Sequence, residues 1–202
     1  MDIQRAFTVL FEDKGWLKKI LFGGLFTFLS MFLVGIPFLV GYLLRMVKNG
    51  RTGDFIPLPE WDDMGELFKE GLMLSVVLIV YGLIAGFVSM ILSMIPCLGC
   101  ILSPLVYLAL ALVIPYIVLK YADTQQFGDC FNFSEMYEYT ARNISNLVIY
   151  VLIIVAMSII SSIVGSILLF IGIFFTNFWV MVGNAYLILE VEKHDKAKQA
   201  AQ

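Results

Sequence analysis

The chain has 202 residues, 60% of them hydrophobic, and a mean hydropathy of +0.91, which excludes an ordinary soluble domain of this length. Sixteen acidic against thirteen basic residues give a net charge of −3 and a pI near 5.1, with no basic run, so nucleic-acid binding is not expected. Asp2, Glu12 and Asp13 interrupt the N-terminus and no small-residue cleavage site follows a short apolar core. It does not read as a secretory signal, and the first membrane segment is expected to stay.

Charged residues fall into four clusters, Asp2 to Lys19, Arg45 to Glu70, Lys120 to Arg142 and Glu190 to Lys198. The uncharged gaps between them are the membrane. Ile20 to Leu44 holds 25 residues, Gly71 to Leu119 holds 49 and Asn143 to Leu189 holds 47. A crossing takes about 20 residues, so each of the two long gaps predicts a helical hairpin. Pro96-Cys97-Leu98-Gly99-Cys100 marks the turn of one and Gly172 the turn of the other. The first gap suits one crossing or a short hairpin. Gly35-Ile36-Pro37 at its middle, with proline placed for a helix's first turn, favours the hairpin. Lys18, Lys19 and Arg45 then snorkel to the surface. Three hairpins put every lysine and arginine on one side, which the positive-inside rule makes cytoplasmic. The expected protein is an all-α, polytopic bundle of six spans in the cell membrane with both termini cytoplasmic.

An internal repeat supports the count. The return helices end on Gly41-Tyr42-Leu43-Leu44, Pro115-Tyr116-Ile117-Val118 and Ala185-Tyr186-Leu187-Ile188. Each hairpin is preceded by a segment with apolar residues at helical spacing: Ile3, Phe7, Leu10; then Met64, Leu67, Phe68, Gly71, Leu72; then Phe133, Met136, Tyr137, Thr140, Ile144. These read as short interfacial helices. Asp63 with Glu66 and Asn132 with Glu135 have capping-box spacing at the starts of the second and third. One membrane domain over 1–202 is expected, with repeats at about 2–54, 60–127 and 131–194 and a flexible polar tail at 195–202. Small residues recur on the outgoing helices: Gly23 with Thr27, Gly82 with Gly86, and the four-spaced ladder Ser158, Ser162, Ser166. They suit close packing within one chain or a seam between copies.

Lys18 to Gly24, Gly41-Tyr42-Leu43-Leu44-Arg45, Leu58-Pro59-Glu60-Trp61-Asp62-Asp63 and Phe174-Phe175-Thr176 resemble a family of prokaryotic multi-pass membrane proteins known as a domain of unknown function. The resemblance covers nearly the whole chain. It implies a bacterial or archaeal multi-pass protein and no particular activity, and marks Gly41, Tyr42, Arg45, Pro59, Trp61, Asp62, Asp63 and Glu66 as motif positions.

Chemistry is sparse. His194 sits in the charged C-terminal stretch and reads as solvated. Cys97 and Cys100 are either free thiols or a turn-locking disulfide, and Cys130 is alone. Glu60, Asp62, Asp63, Glu66 and Glu70 form the one carboxylate cluster, suited to capping first and to a cation or a general base second. No nucleotide, zinc-protease or nucleophile-elbow motif occurs, and no cofactor or metal is expected. The intramembrane polar groups Asn177 and Asn184, seven apart on one face, and the serine ladder suit helix–helix hydrogen bonding, or a path for a neutral solute. The expected role is a non-enzymatic scaffold or accessory subunit, meeting membrane or cytoplasmic proteins or its own copies within the lipid bilayer; a small-solute channel or carrier is the alternative. Arg45 is expected to pair with Asp62 or Asp63 where water thins out.

Overall fold

The computed structural model describes residues 2–95, 98–167 and 171–200, and within them the chain is helical without strands. The α-helices are α1 (Ile3–Thr8), α2 (Trp16–Ser30), α3 (Gly35–Thr52), α4 (Met64–Ser93), α5 (Leu98–Thr124), α6 (Phe133–Ile167) and α7 (Gly172–Ala200), with a 3-10 turn at Gly128–Phe131. Four stretches, α4, Ile101–Thr124 of α5, α6 and α7, are long and apolar enough to cross a membrane. The fold is helical and membrane-embedded. The 15 residues of α2 rise only about 22 Å against a hydrocarbon core of about 30 Å, so α2 falls short of that length. Between α2 and α3 the chain reverses over Met31–Val34, where Leu33 takes a left-handed φ of 65° and all four side chains are more than half exposed.

Consecutive helices pack on one another from α2 to α7, and α7 closes back onto α2. The helices α3, α5 and α7 also touch each other, which puts them inside the ring. These three carry the tyrosine phrases, and all twelve residues of the phrases are buried. Tyr42, Leu44 and Met46 of α3 and Phe178, Val182 and Leu187 of α7 belong to one core cluster, each at most 1% exposed. In lipid surroundings burial brings little hydrophobic gain, so close packing has to hold such a core. At the α3–α4 crossing the backbones touch. A Cβ on Gly71 would collide with the Pro37 carbonyl and the Gly41 amide, and one on Gly41 with the Leu67 carbonyl. Gly82 and Gly86 are different: a Cβ at either meets nothing within 4 Å. Among the described residues nothing packs against that small-residue step.

The separate interfacial helices expected from the sequence reduce to one. Only α1 stands alone; α4 and α6 run unbroken for 30 and 35 residues, about 45 and 52 Å. Their amphipathic starts continue in phase into the apolar stretch with no proline between, so nothing ends the helix at the boundary. Leu67 is buried and Phe68 packs on Phe38, whereas Leu72, Phe133, Tyr137 and Ile144 are exposed. The Asn132 cap forms, its Oδ1 accepting from the Glu135 amide at 3.3 Å. The Asp63 cap does not: Asp63 is left-handed (φ 46°) and its side chain takes no cap hydrogen bond. Residues 195–200 continue α7 instead of forming a loose tail. Cys97 and the side chain of Cys100 lie outside the described residues, as does the disulfide question.

Candidate functional site at the charged end

Residues of all four charge clusters meet at one end of the bundle. Lys19 reaches the Leu58 carbonyl at 2.7 Å, the Asp2 amide donates to Glu190 at 3.3 Å, Arg51 pairs with Asp123 and Glu192, and Arg142 pairs with Asp195. Two centres stand out there.

The first is the segment from Gly53 to Asp63, which folds as a strap over α2 and α3. Its anchor is a buried ion pair, Lys19 Nζ to Asp13 Oδ2 at 2.9 Å, with both side chains 2% exposed. Asp13 also accepts from the Leu58 amide at 2.8 Å and the Gly15 amide at 2.7 Å, and Lys19 Nζ lies 3.0 Å from Glu60. A buried pair tolerates desolvation only when the remaining donors and lone pairs are met, as here. Burial by itself raises the Asp13 pKa; the hydrogen bonds from Lys19 and the two amides, together with the Lys19 charge, outweigh it and hold the carboxyl below its ordinary range. The motif aromatic Trp61 lies in a stack, 4.2 Å from the Tyr42 ring and 5.0 Å from the Phe26 ring, and its Nε1 donates to the Lys19 carbonyl at 3.2 Å. The Tyr42 hydroxyl donates to the Pro59 carbonyl at 2.7 Å. Pro59, Trp61 and Tyr42 thus clamp the strap, while Gly41 lets α4 approach beside it.

Lys19 does not snorkel, contrary to the sequence reading. Neighbouring positions on a helix point about 100° apart; Lys18 stays exposed while Lys19 turns inward to Asp13 and Glu60. Arg45 meets Asp62 at 3.4 Å, Glu66 at 3.4 Å and Glu70 at 3.6 Å, and not Asp63. Three members of the acidic cluster therefore surround a guanidinium, and among the described residues no group of His, Cys, Asp or Glu is placed to hold a metal ion.

The second centre is a basin of about 210 Å³ between the charged ends of α3, α5, α6 and α7. On its floor Arg51 Nε bonds Glu192 at 2.8 Å, and Arg142 holds Asp195 with two bonds of 2.7 and 3.1 Å. At the rim Lys120 meets both oxygens of Glu135 at 2.7 Å and Lys196 meets Glu192 at 2.7 Å. Tyr116 and Tyr139 line the same basin, only 4% and 8% exposed; among the described residues the Tyr139 hydroxyl has no hydrogen-bond partner, and the Tyr116 hydroxyl has Glu135 as its neighbour without a close hydrogen bond. The Asn143 Nδ2 donates to Asp195 at 2.6 Å, and its Oδ1 has no partner among the described residues. No sequence signal pointed to this basin beyond the charge clusters themselves.

Among the candidate intramembrane groups, Asn184 accepts from the Tyr150 hydroxyl at 2.7 Å. Asn177 is exposed and touches Ser161 at 3.5 Å. Ser158, Ser162 and Ser166 are exposed and bond back to their own helix at Ile154, Ser158 and Ser162. His194 is half-buried on α7 and not in a free tail.

A family described as a protein of unknown function (DUF4013) has a model that matches residues 24–172, well over half of the chain. The chain belongs to the DUF4013 family. No curated protein and no solved structure matches it. The DUF4013 match takes in Arg45, the strap and Trp61; Asp13 and Lys19, which anchor the strap, precede it, and the α7 side of the basin follows it.

Proposed function

We propose that the protein is a six-span scaffold or accessory subunit of the cell membrane, without enzymatic activity, built as three hairpins with both termini cytoplasmic. One observation carries the role: the inner helices α3 and α7 meet through large buried side chains, while the mid-helix polar groups are spent on each other or turned outward. That leaves the charged end as the polar surface a protein partner can read. The ladder serines facing outward speak against a polar path through the bundle. The topology is supported by the meeting of all four charge clusters at one end and by the shared burial of the three tyrosine phrases. A partner helix, or a second copy, has open access to α4 at Gly82 and Gly86.

Solute efflux from proteoliposomes tests the role. Neutral solutes should leave no faster than from empty liposomes, and a flux abolished by Asn184→Leu would replace this reading with a channel. In mildly solubilised native membranes the chain should migrate in an assembly larger than the purified protein; equal migration would remove the subunit role. A cysteine at Ala200→Cys should resist an impermeant thiol reagent applied to intact cells, and labelling from outside would overturn the topology.

A further inference from the structure

The geometry points to the basin at the charged end as a binding site for a small zwitterion, an acidic group and an ammonium a few bonds apart. Its charges balance: four cations, Arg51, Lys120, Arg142 and Lys196, against four carboxylates. A ligand of one sign would bring an unbalanced charge into a partly desolvated place whose own charges already cancel. A zwitterion instead inserts between the halves of a pair and satisfies both, with no net charge brought into a partly desolvated place. Donors remain for the acidic group: Arg142 engages Asp195 through Nε and Nη2, so Nη1 is unspent, and Lys120 and Lys196 each pair with a single carboxylate. The Tyr116 and Tyr139 hydroxyls are the second, independent sign. Each is more than nine-tenths buried and lines the basin; among the described residues Tyr139 has no partner and Tyr116 has only Glu135 near it, without a close hydrogen bond, whereas buried hydroxyls are ordinarily hydrogen-bonded. Their rings lie 5.7 Å apart, so the two side chains are neighbours in the basin wall. About 210 Å³ holds roughly seven waters' worth of matter, the size of a phosphoethanolamine group or a small amino acid. The site stands on these residues alone and does not rest on the scaffold reading.

Isothermal titration of the purified full-length protein in maltoside detergent tests it. The probes are O-phosphoethanolamine, glycine, inorganic phosphate, ethanolamine and short-chain phosphatidylethanolamine. One or more of the zwitterions should bind saturably and at least tenfold more tightly than phosphate or ethanolamine alone. Tyr116→Phe/Tyr139→Phe removes two hydroxyls that make no close hydrogen bond, so its melting temperature should be close to or above that of the parent, and its affinity for the zwitterion should fall about tenfold. Binding of the lipid but of neither free probe identifies a headgroup as the source; binding of a free zwitterion identifies a soluble ligand. Phosphate binding as well as the zwitterions, no saturable binding at all, or a double variant that binds like the parent would overturn the proposal.

Discussion

Asp13→Ala should be among the most damaging single substitutions in the chain. It strands the Lys19 ammonium, 2% exposed, and removes the acceptor for the Leu58 and Gly15 amides. Breaking a buried, hydrogen-bonded ion pair from one side costs roughly 3–5 kcal/mol. For a chain of about 200 residues each kcal/mol moves the melting temperature by about 2–4 °C, so the expected fall is about 6–20 °C. The assay is the fraction of protein still monodisperse after heating in mild detergent. Lys19→Met should cost a similar amount, because it leaves the carboxylate without its cation. In the double variant no charge is stranded, so Asp13→Ala/Lys19→Met should be no less stable than Asp13→Ala alone. A fall below about 2 °C for Asp13→Ala, or a double variant as damaged as the sum of the singles, would refute the buried-pair account. The pH dependence has a definite sign. With the folded-state pKa of Asp13 held low, its contribution is complete above the ordinary carboxylate value of about 3.9 and disappears as pH falls through the lower folded value.

Gly71→Ala should separate α3 from α4 and lower the melting temperature by several degrees, since the new methyl meets backbone; Gly82→Ala, in open space, should be neutral or raise it slightly through helix propensity. In a double-mutant cycle, Arg45→Ala with Asp62→Ala should show coupling below about 1 kcal/mol, because that carboxylate is 75% exposed; coupling above 2 kcal/mol would mean that the pair is shielded. The Cys130 thiol, buried and pushed up to about 11, should resist maleimide at pH 7 in the folded protein of a Cys97→Ser/Cys100→Ser background and label fully after denaturation; rapid labelling before denaturation would contradict its burial.

What could be read in advance follows from range. Helix positions came from charge gaps, and the Asn132 cap and the approach of Arg45 to Asp62 came from local spacing and from the nearness of one loop to one helix end. The pair of Lys19 with Asp13 was hidden because it crosses a non-helical turn, where residue separation says nothing about direction. The continuity of α4 and α6 was hidden because amphipathic and fully apolar stretches share one period, so a change of environment leaves no break in the pattern. Asp63 illustrates a third cause: its spacing to Glu66 fits a cap, but the strap brings the chain in with a left-handed φ that turns the side chain away. The basin draws on four elements separated by up to 148 positions between Arg51 and Gln199, and no short pattern encodes such a convergence.

The shortness of α2 has a consequence for the lipid rather than for the protein. The uncharged parts of α4 and α6, residues 71–93 and 143–167, rise about 35 and 38 Å, but on the α2 side there is only about 22 Å of helix, ending in the exposed tip Met31-Phe32-Leu33-Val34. Around the circumference the hydrophobic height therefore steps down. Acyl chains beside α2 must shorten, tilt or draw their headgroups inward, at fractions of a kcal/mol for each ångström of mismatch. A molecule of this shape is a wedge in the membrane plane. The cost of the step is smallest where the bilayer is already thin on that flank.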